Sequence, residues 1–332
     1  MFERQLTHNY VIAGSTGYSK VGYYDLTSMD GVCYFHSMKE GITSRFDLIL
    51  QRLTFSEKVN KVFSFPFAHH TFSHLYPFSF KKQKPLVFLF FGQNQTVYQS
   101  GYIDYIREKY PGVRVVLYMI DLISRNKKLD FPKARSLFDL IISYDKGDCK
   151  EFGLEYFPTS YSHYPVPDNP SIESIDVFYC GNAKMRGDII FDTYRQCIEL
   201  GLKCLFFVTD VPKEMRIDSD DIIYDHYIDY VENLQYVKKA KCILEVMQTK
   251  ADGFTPRLWE SIMYDRHLLT NNTMLAETSY YIPSSMHDLN SIANIKDWID
   301  KPLAFDESIK ASLSPIHLLY FIDDKLKQLN KL

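Results

Sequence analysis

Residues 85–120 read PLVFLFFGQNQTVYQSGYIDYIREKYPGVRVVLYMI and contain the clearest evidence on fold class. The two apolar runs, Pro85–Phe91 and Val113–Ile120, are continuous rather than alternating, which is typical of strands buried on both faces. Between them, Tyr102–Tyr110 has helical spacing and is followed by Pro111-Gly112, which stops a helix. The stretch therefore predicts parallel strands connected by a helix.

The strand–helix rhythm continues along the chain and is interrupted once. Residues 157–174 contain four prolines and little periodicity, and the rhythm resumes at Asp176–Cys180. A break of this kind is typical of a linker between domains. We therefore predict an α/β protein with two doubly wound, Rossmann-like domains facing a cleft. The predicted parts are residues 1–160, residues 161–314, and a C-terminal helix over 315–332 that could cross back to the first domain.

Composition is that of an ordinary globular protein, with 46% hydrophobic and 24% charged residues among 332. We see no apolar run long enough to span a membrane, no signal peptide, and six cysteines without a CxxC pair, so we expect a cytoplasmic protein. Residues 1–160 carry 20 Lys+Arg against 15 Asp+Glu, and the remaining residues 18 against 26. This asymmetry fits either a basic half near an anionic acceptor or membrane, or a chance imbalance.

The segment between Glu245 and Glu260 has the pattern of a ligand site. An apolar strand leads through a loop containing Gly253 into a helix, with Thr255 as N-cap and Pro256 at the first position. The free N–H groups of such a helix start suit a diphosphate, and Arg257 adds a fork of donors. Glu260, one turn later, could accept ribose hydroxyls. The alternative is a capped helix with an Arg–Glu surface pair.

A second candidate segment follows the predicted strand Asp176–Cys180. Gly181 provides a flexible turn, and Lys184 and Arg186 place two cations at the next helix start, a combination that suits an anionic ligand. The alternative is an ordinary strand-to-helix turn with two solvated cations.

Together these segments resemble a known family. The pattern Gly253-x-Thr255-x-Arg257-x-x-Glu260, followed by Leu268–Asn272, is similar to the nucleotide-sugar region of bacterial GT-B glycosyltransferases from capsule, O-antigen and lipopolysaccharide-core clusters. The resemblance implies that Lys184 and Arg186 contact the donor diphosphate and Glu260 the ribose. The family's second glutamate, eight residues earlier, is here Asp252. The predicted donor-binding set is Gly181, Lys184, Arg186, Gly253, Thr255, Arg257 and Glu260.

The resemblance also implies an acceptor side in the first half. The loop Gly14-Ser15-Thr16 would face the cleft, although it could equally be a simple turn. Asp121 ends a predicted buried strand, and we take it as the candidate base for an acceptor hydroxyl; the alternative is a turn or N-cap aspartate.

Residues 63–80 are rich in aromatics and are followed by Lys81, Lys82 and Lys84. They could bind a lipid-linked acceptor or a bilayer surface, with His69 and His70 on the acceptor side; the alternative is buried aromatic packing. His70 and His74 are four residues apart, but no carboxylate or cysteine accompanies them in the sequence, so we predict no metal there. Asp218-Ser219-Asp220 lacks a preceding hydrophobic strand and predicts a solvated turn rather than a metal site.

We therefore expect a glycosyltransferase that moves a sugar from a nucleoside diphosphate to a hydroxyl of a bacterial surface glycan or its lipid-linked precursor. It would need no cofactor and no metal, bind no nucleic acid, and could lie at the inner face of the cytoplasmic membrane. Two alternatives remain open. One is a non-catalytic glycan- or lipid-binding subunit, and the other is an enzyme that modifies sugar nucleotides.

Overall fold

A computed structural model describes residues 4–14, 17–56, 59, 67–92, 94–98, 100–123, 130–247 and 254–329. The chain divides into two compact units. Unit 1 comprises Met1–Ser162 and Leu313–Leu332, and unit 2 comprises His163–Ser312.

Unit 1 is built on a six-stranded sheet in which every pairing is parallel, with the strand order β2-β1-β3-β4-β5-β6. Its strands are β1 (Asn9–Ala13), β2 (Val32–Phe35), β3 (Leu86–Phe91), β4 (Arg114–Met119), β5 (Leu140–Ser143) and β6 (Glu155–Tyr156). Its helices are α1 (Tyr18–Gly22), α2 (Arg45–Thr54), α3 (Ala68–Ser73), α4 (Gln95–Tyr98), α5 (Tyr102–Lys109), α6 (Phe131–Leu137) and α7 (Lys146–Phe152).

Unit 2 contains a second parallel six-stranded sheet, ordered β12-β11-β10-β7-β8-β9. Its strands are β7 (Ile175–Asn182), β8 (Cys204–Thr209), β9 (Ile222–Tyr224), β10 (Ala240–Glu245), β11 (His267–Thr270) and β12 (Met286–Asp288). Its helices are α8 (Gly187–Glu199), α9 (Tyr230–Lys239), α10 (Pro256–Met263) and α11 (Glu307–Ser312); the last helix of the chain, α12 (Ile316–Leu329), belongs to unit 1. The predicted fold class, two doubly wound α/β domains, is confirmed.

The continuous apolar strands are explained by burial on both faces of each sheet. In β3, Phe88 and Phe90 pack on one side with the aromatic residues of α5, while Val87 and Leu89 pack on the other side with α12. Alternate residues of a strand point to opposite faces, so a sheet covered on both sides needs apolar residues at every position. On α12, the residues buried in this core are Leu318, Leu319, Ile322 and Leu326.

The aromatic run at 63–80 is largely core in the part that the structure describes, whereas Phe63 and Phe65 lie outside the described residues. Phe72 and Tyr76 are buried, and Phe78 and Phe80 are half-buried against the same cluster, whereas Phe67 is 56% exposed. The structure thus contradicts the interpretation of the four packed aromatics as a lipid-facing surface. None of the described helices is long and apolar enough to cross a bilayer.

Exposed apolar side chains occur instead on α2. Phe46, Ile49 and Leu53 are 64%, 55% and 37% exposed.

Candidate functional site

The sheet of unit 2 has one point at which the chain path reverses direction. From β7 the chain proceeds through β8 to β9 on one side, and from β10 through β11 to β12 on the other. In open parallel sheets, ligands bind in the crevice outside the carboxyl ends of the strands at such a switch point. Here those ends are Cys180–Asn182 of β7 and Glu245 of β10, so both segments singled out in the sequence meet at one place.

Arg257 joins the two segments directly. It lies at the start of α10, where the Thr255 hydroxyl accepts a hydrogen bond from the Arg257 backbone N–H at 3.2 Å. The Arg257 Nη2 donates to the backbone carbonyl of Cys180 on β7. The predicted cap at Thr255 and the predicted first position at Pro256 are confirmed. Gly253 lies outside the described residues.

Gly181 makes room for this contact. A Cβ atom at this position would lie 3.2 Å from Nη2 of Arg257 and 2.9 Å from the hydroxyl of Tyr179, both closer than ordinary packing allows. A side chain at Gly181 would therefore displace the guanidinium from the end of β7.

Glu260 is more deeply buried than its predicted role requires. Its side chain is 3% exposed, and its Oε1 accepts hydrogen bonds from the Tyr230 hydroxyl at 2.5 Å and the Asn233 amide at 3.4 Å. Both partners come from α9. The interpretation of Arg257 and Glu260 as a solvated surface pair is wrong, because each has its own partners inside the unit.

Burial and the attraction between opposite charges compete at these two groups. Desolvation raises the pKa of Glu260 above its ordinary value, although Arg257, Tyr230 and Asn233 pull in the opposite direction. Desolvation lowers the pKa of Arg257, but the nearby Glu260 carboxylate opposes this and the net shift is upward. A buried carboxyl group and a half-buried guanidinium therefore lie about one turn apart on α10.

Glu245, at the carboxyl end of β10, was absent from the predicted site set. Its side chain is 1% exposed, and it accepts hydrogen bonds from the hydroxyls of Thr255 and, at 2.6 Å, Thr270. Desolvation raises the pKa of Glu245, and the two hydroxyls only partly offset the shift. A glutamate at the end of an apolar strand is a sequence signal that could have identified it.

Arg186 bridges the switch point from the other side. Its Nη1 donates to the Val246 carbonyl at 2.6 Å, and its Nη2 donates to the carbonyl of Asn182. Lys184 precedes it in an exposed turn with a left-handed φ of 42°. The guanidinium of Arg186 therefore lies at the switch point, whereas Lys184 is exposed.

Three buried polar atoms around this point have no hydrogen-bond partner among the described residues: the hydroxyl of Tyr179, Oδ1 of Asn182 and Nε of Arg186. Such atoms are costly to bury unless something satisfies them. Two of the three belong to groups that can donate, and two guanidinium groups and a helix start lie beside them. The oxygen atoms of an anionic ligand would accept hydrogen bonds from the Tyr179 hydroxyl and Arg186 Nε, whereas Asn182 Oδ1 needs a donor such as a ligand hydroxyl.

Unit 1 has its own switch point, between β1 and β3, and Gly14 lies there. The Asn94 amide, 8% exposed, donates to the Gly14 carbonyl at 3.3 Å and accepts from the Phe91 N–H at 2.9 Å. Asn94 was missed by the sequence analysis. Ser15 and Thr16 lie outside the described residues.

The other candidate residues of unit 1 lie away from the switch point between β1 and β3. Asp121 is exposed and follows β4, one strand beyond β3 in the sheet. His69 and His70 are exposed on α3; the His69 ring packs edge-on against Tyr105, and Nε2 of His70 lies 2.9 Å from Oδ1 of Asp47. The expectation that no carboxylate accompanies His70 and His74 is wrong, because α2 brings Asp47 to them. Asp218 and Asp220 lie in an exposed turn before β9, as expected.

No protein-family model matches this chain, and no curated protein matches it either. Solved structures do match. An α-glucosyltransferase in complex with UDP and a 13-mer DNA containing an HMU base is 11% identical, with 87% of this chain and 89% of that chain covered and a TM-score of 0.53. An α-glucosyltransferase in complex with UDP-glucose and DNA containing an abasic site is 12% identical, with 95% and 93% covered and a TM-score of 0.50.

A putative UDP-N-acetylglucosamine 2-epimerase from Listeria monocytogenes is 10% identical, with 97% of both chains covered and a TM-score of 0.51. At such identities the likeness concerns the fold alone. It is the GT-B arrangement of two Rossmann-like domains, which agrees with the resemblance noted in the sequence.

Proposed function

We propose that unit 2 binds the nucleoside diphosphate of a sugar nucleotide and that the protein transfers the sugar to an acceptor hydroxyl. The observation that carries this proposal is the group of unsatisfied polar atoms at the switch point, the Tyr179 hydroxyl, Asn182 Oδ1 and Arg186 Nε. They lie beside the two guanidinium groups and the start of α10. Buried polar atoms without partners are costly, and a bound nucleotide would supply partners for them.

The residues at the crevice can stabilise the negative charge that forms on the leaving group during sugar transfer. When a glycosidic bond to a diphosphate breaks, negative charge collects on the leaving group and an oxocarbenium-like centre forms on the sugar. Fixed cations and helix N–H groups stabilise a developing anion without rearranging. We assign this role to Arg186, Arg257 and the start of α10, with Lys184 closing over the outer phosphate, and we propose that no divalent metal is required.

We retain Glu260 as the proposed ribose contact, but the ribose would not be the only group bound to its carboxylate. Its Oε1 already accepts hydrogen bonds from Tyr230 and Asn233, so a ribose hydroxyl would share the carboxylate with them. The raised pKa of Glu260 supports this assignment, because added donors would relieve its desolvation.

For the acceptor, we propose a hydroxyl of a bacterial surface glycan or its lipid-linked precursor, with Asp121 as the base. Peripheral attachment to the cytoplasmic membrane belongs to the same proposal. Both α-glucosyltransferase structures described above contain DNA, and an assay should therefore include DNA as a competing acceptor.

A second candidate function is modification of the sugar nucleotide itself, which is favoured by the match to the Listeria epimerase over 97% of both chains. The two functions differ in their need for an acceptor. An epimerase converts a UDP-sugar alone, whereas a transferase releases UDP in proportion to the glycosylated acceptor. NMR of the sugar anomeric protons, with and without acceptor, separates the two outcomes.

Calorimetric titration with UDP tests the binding proposal. We expect saturable binding that persists in EDTA, and a loss of about 1.5–3 kcal/mol in Arg257→Ala, the range for a hydrogen bond to a charged group. The matched control is Arg195→Ala, which removes an exposed arginine of the same unit that pairs with Asp192 on α8. Equal affinity in folded Arg257→Ala and in the control would refute the site, and loss of binding in EDTA would refute metal independence.

A further inference from the structure

Two helices of unit 1 are held together by a buried contact that the proposed function does not use. The hydroxyls of Thr54 at the end of α2 and Thr71 on α3 lie 2.9 Å apart and are buried. Beside them the rings of Phe55 and Phe72 pack with centroids 6.2 Å apart. The relative position of α2 and α3 is therefore fixed by packing.

This packing brings three metal-binding side chains together at the surface. Asp47 lies in the first turn of α2, His70 lies on α3, and His74 directly follows α3. One ligand atom from each residue lies within 4.8 Å of the other two. The four-residue spacing of the histidines places their ring centroids 4.8 Å apart on one side of the helix.

The donor set is that of a zinc-class cation. Two imidazole nitrogens and one carboxylate oxygen suit Zn²⁺ and its neighbours, whereas Mg²⁺ and Ca²⁺ prefer oxygen ligands alone. Bond lengths of about 2.0–2.1 Å in a tetrahedral site imply that ligand atoms lie about 3.4 Å apart. The 2.9 Å separation of His70 Nε2 and Asp47 Oδ1 must open slightly, and the half-exposed His70 ring is free to turn.

We propose that Asp47, His70 and His74 bind a divalent cation of the zinc class, with water in the fourth position. The cation would replace the His70–Asp47 hydrogen bond and clip α2 to α3. This site lies in unit 1 and is independent of the nucleotide site proposed in unit 2. It also needs no part of the chain outside the described residues.

Cobalt is the probe of choice, because Co²⁺ occupies zinc sites and reports its coordination by visible absorption. Full-length protein without a histidine tag should bind one Co²⁺ per chain, give absorption typical of four-coordinate N/O ligation, and release Co²⁺ on addition of Zn²⁺. His74→Gln should weaken binding at least about tenfold. This variant keeps the His70–Asp47 hydrogen bond, so its fold should be intact; Asp47→Asn should show a similar loss.

His69→Gln is the matched control, because it removes an exposed histidine of the same helix whose ring contacts Tyr105 rather than the cluster. It should bind Co²⁺ as the wild type does, and His74→Gln should still bind UDP with wild-type affinity. Failure of the wild type to bind one equivalent would overturn the proposal. Equal losses in His69→Gln and His74→Gln, with both folded, would also overturn it.

Discussion

The switch points of the two units are bridged by side chains of different chemical character. In each sheet two strands diverge, and one side chain ties their carboxyl ends together. In unit 1 the neutral amide of Asn94 links the Gly14 carbonyl to the Phe91 N–H. In unit 2 the guanidinium of Arg186 links the carbonyls of Asn182 and Val246. A shared topology therefore places a crevice in both units, but the bridging residue gives that of unit 2 a permanent positive charge.

Buried carboxylates also differ, in how far hydrogen bonds offset the effect of desolvation on their pKa values. Desolvation would raise the pKa of Asp323 on α12, but hydrogen bonds from His8, Thr7 and Tyr10 outweigh it and lower the pKa to about 2. In unit 2 desolvation prevails at Glu245 and Glu260, whose pKa values are raised. Hydrogen bonds thus outweigh the desolvation of Asp323, whereas they offset the desolvation of Glu245 and Glu260 only in part. Asp148 of unit 1, whose pKa is also raised by desolvation, resembles the latter two.

The largest change in the free energy of unfolding should come from replacing Asp323, whose charge is compensated by hydrogen bonds. We expect Asp323→Ala to lower the free energy of unfolding by about 3–5 kcal/mol, because it leaves buried donors without an acceptor. Asp324→Ala is the matched control, since the neighbouring residue forms an exposed pair with Arg4 and should cost about 1 kcal/mol or less. Urea unfolding measures both. Equal costs would mean that apolar packing alone holds α12.

Replacing either bridging residue, Asn94 or Arg186, should cause an intermediate loss of stability, and UDP affinity should distinguish the two. Asn94→Ala and Arg186→Ala should each lower stability by about 1–3 kcal/mol, because each leaves backbone groups of two strands unpaired. Only Arg186→Ala should also weaken UDP binding, by about 1.5–3 kcal/mol, which is roughly 10- to 150-fold. Urea unfolding and calorimetric titration on the same preparations provide the comparison. If Asn94→Ala lost UDP affinity to the same extent, the assignment of the nucleotide to unit 2 would be wrong.

The sequence predicted what is local and missed what depends on strand order. The strands and the cap at Thr255 are encoded in consecutive residues, and the structure confirms them. The contact of Arg257 with Cys180 requires β7 and β10 to be neighbours, although more than 50 residues separate them along the chain.

Partners contributed by distant elements had no sequence signal that distinguished them. Tyr230 and Asn233 reach Glu260 from α9, and they look like ordinary helix residues until the sheet order is known. Asp47 is 23 residues from His70, and the prediction of no metal there rested on searching only nearby positions. Tertiary packing, rather than local pattern, creates these sites.

The smallest expected effect is a change in stability with pH. Its direction should differ between variants of Glu245 and of Asp323. Glu245 has a raised pKa in the folded state, so ionising it works against folding as the pH rises. Glu245→Gln should therefore match or exceed wild-type stability at pH 7, by about 1 kcal/mol or less, since the amide retains partners in Thr255 and Thr270. That advantage should disappear as the pH falls and the wild-type carboxyl becomes protonated.

Asp323→Asn should behave in the opposite way. The lowered pKa of Asp323 stabilises the wild type above the ordinary value of 3.8, and this stabilisation is lost as the pH falls towards about 2. Asp323→Asn should thus be less stable than the wild type at pH 7, and the gap should narrow below pH 4. Urea midpoints followed by tyrosine and tryptophan fluorescence from pH 8 to 3 give both profiles. Profiles of the same sign would contradict the contrast between Asp323 and Glu245, because hydrogen bonds would then offset the desolvation of both carboxylates, or of neither.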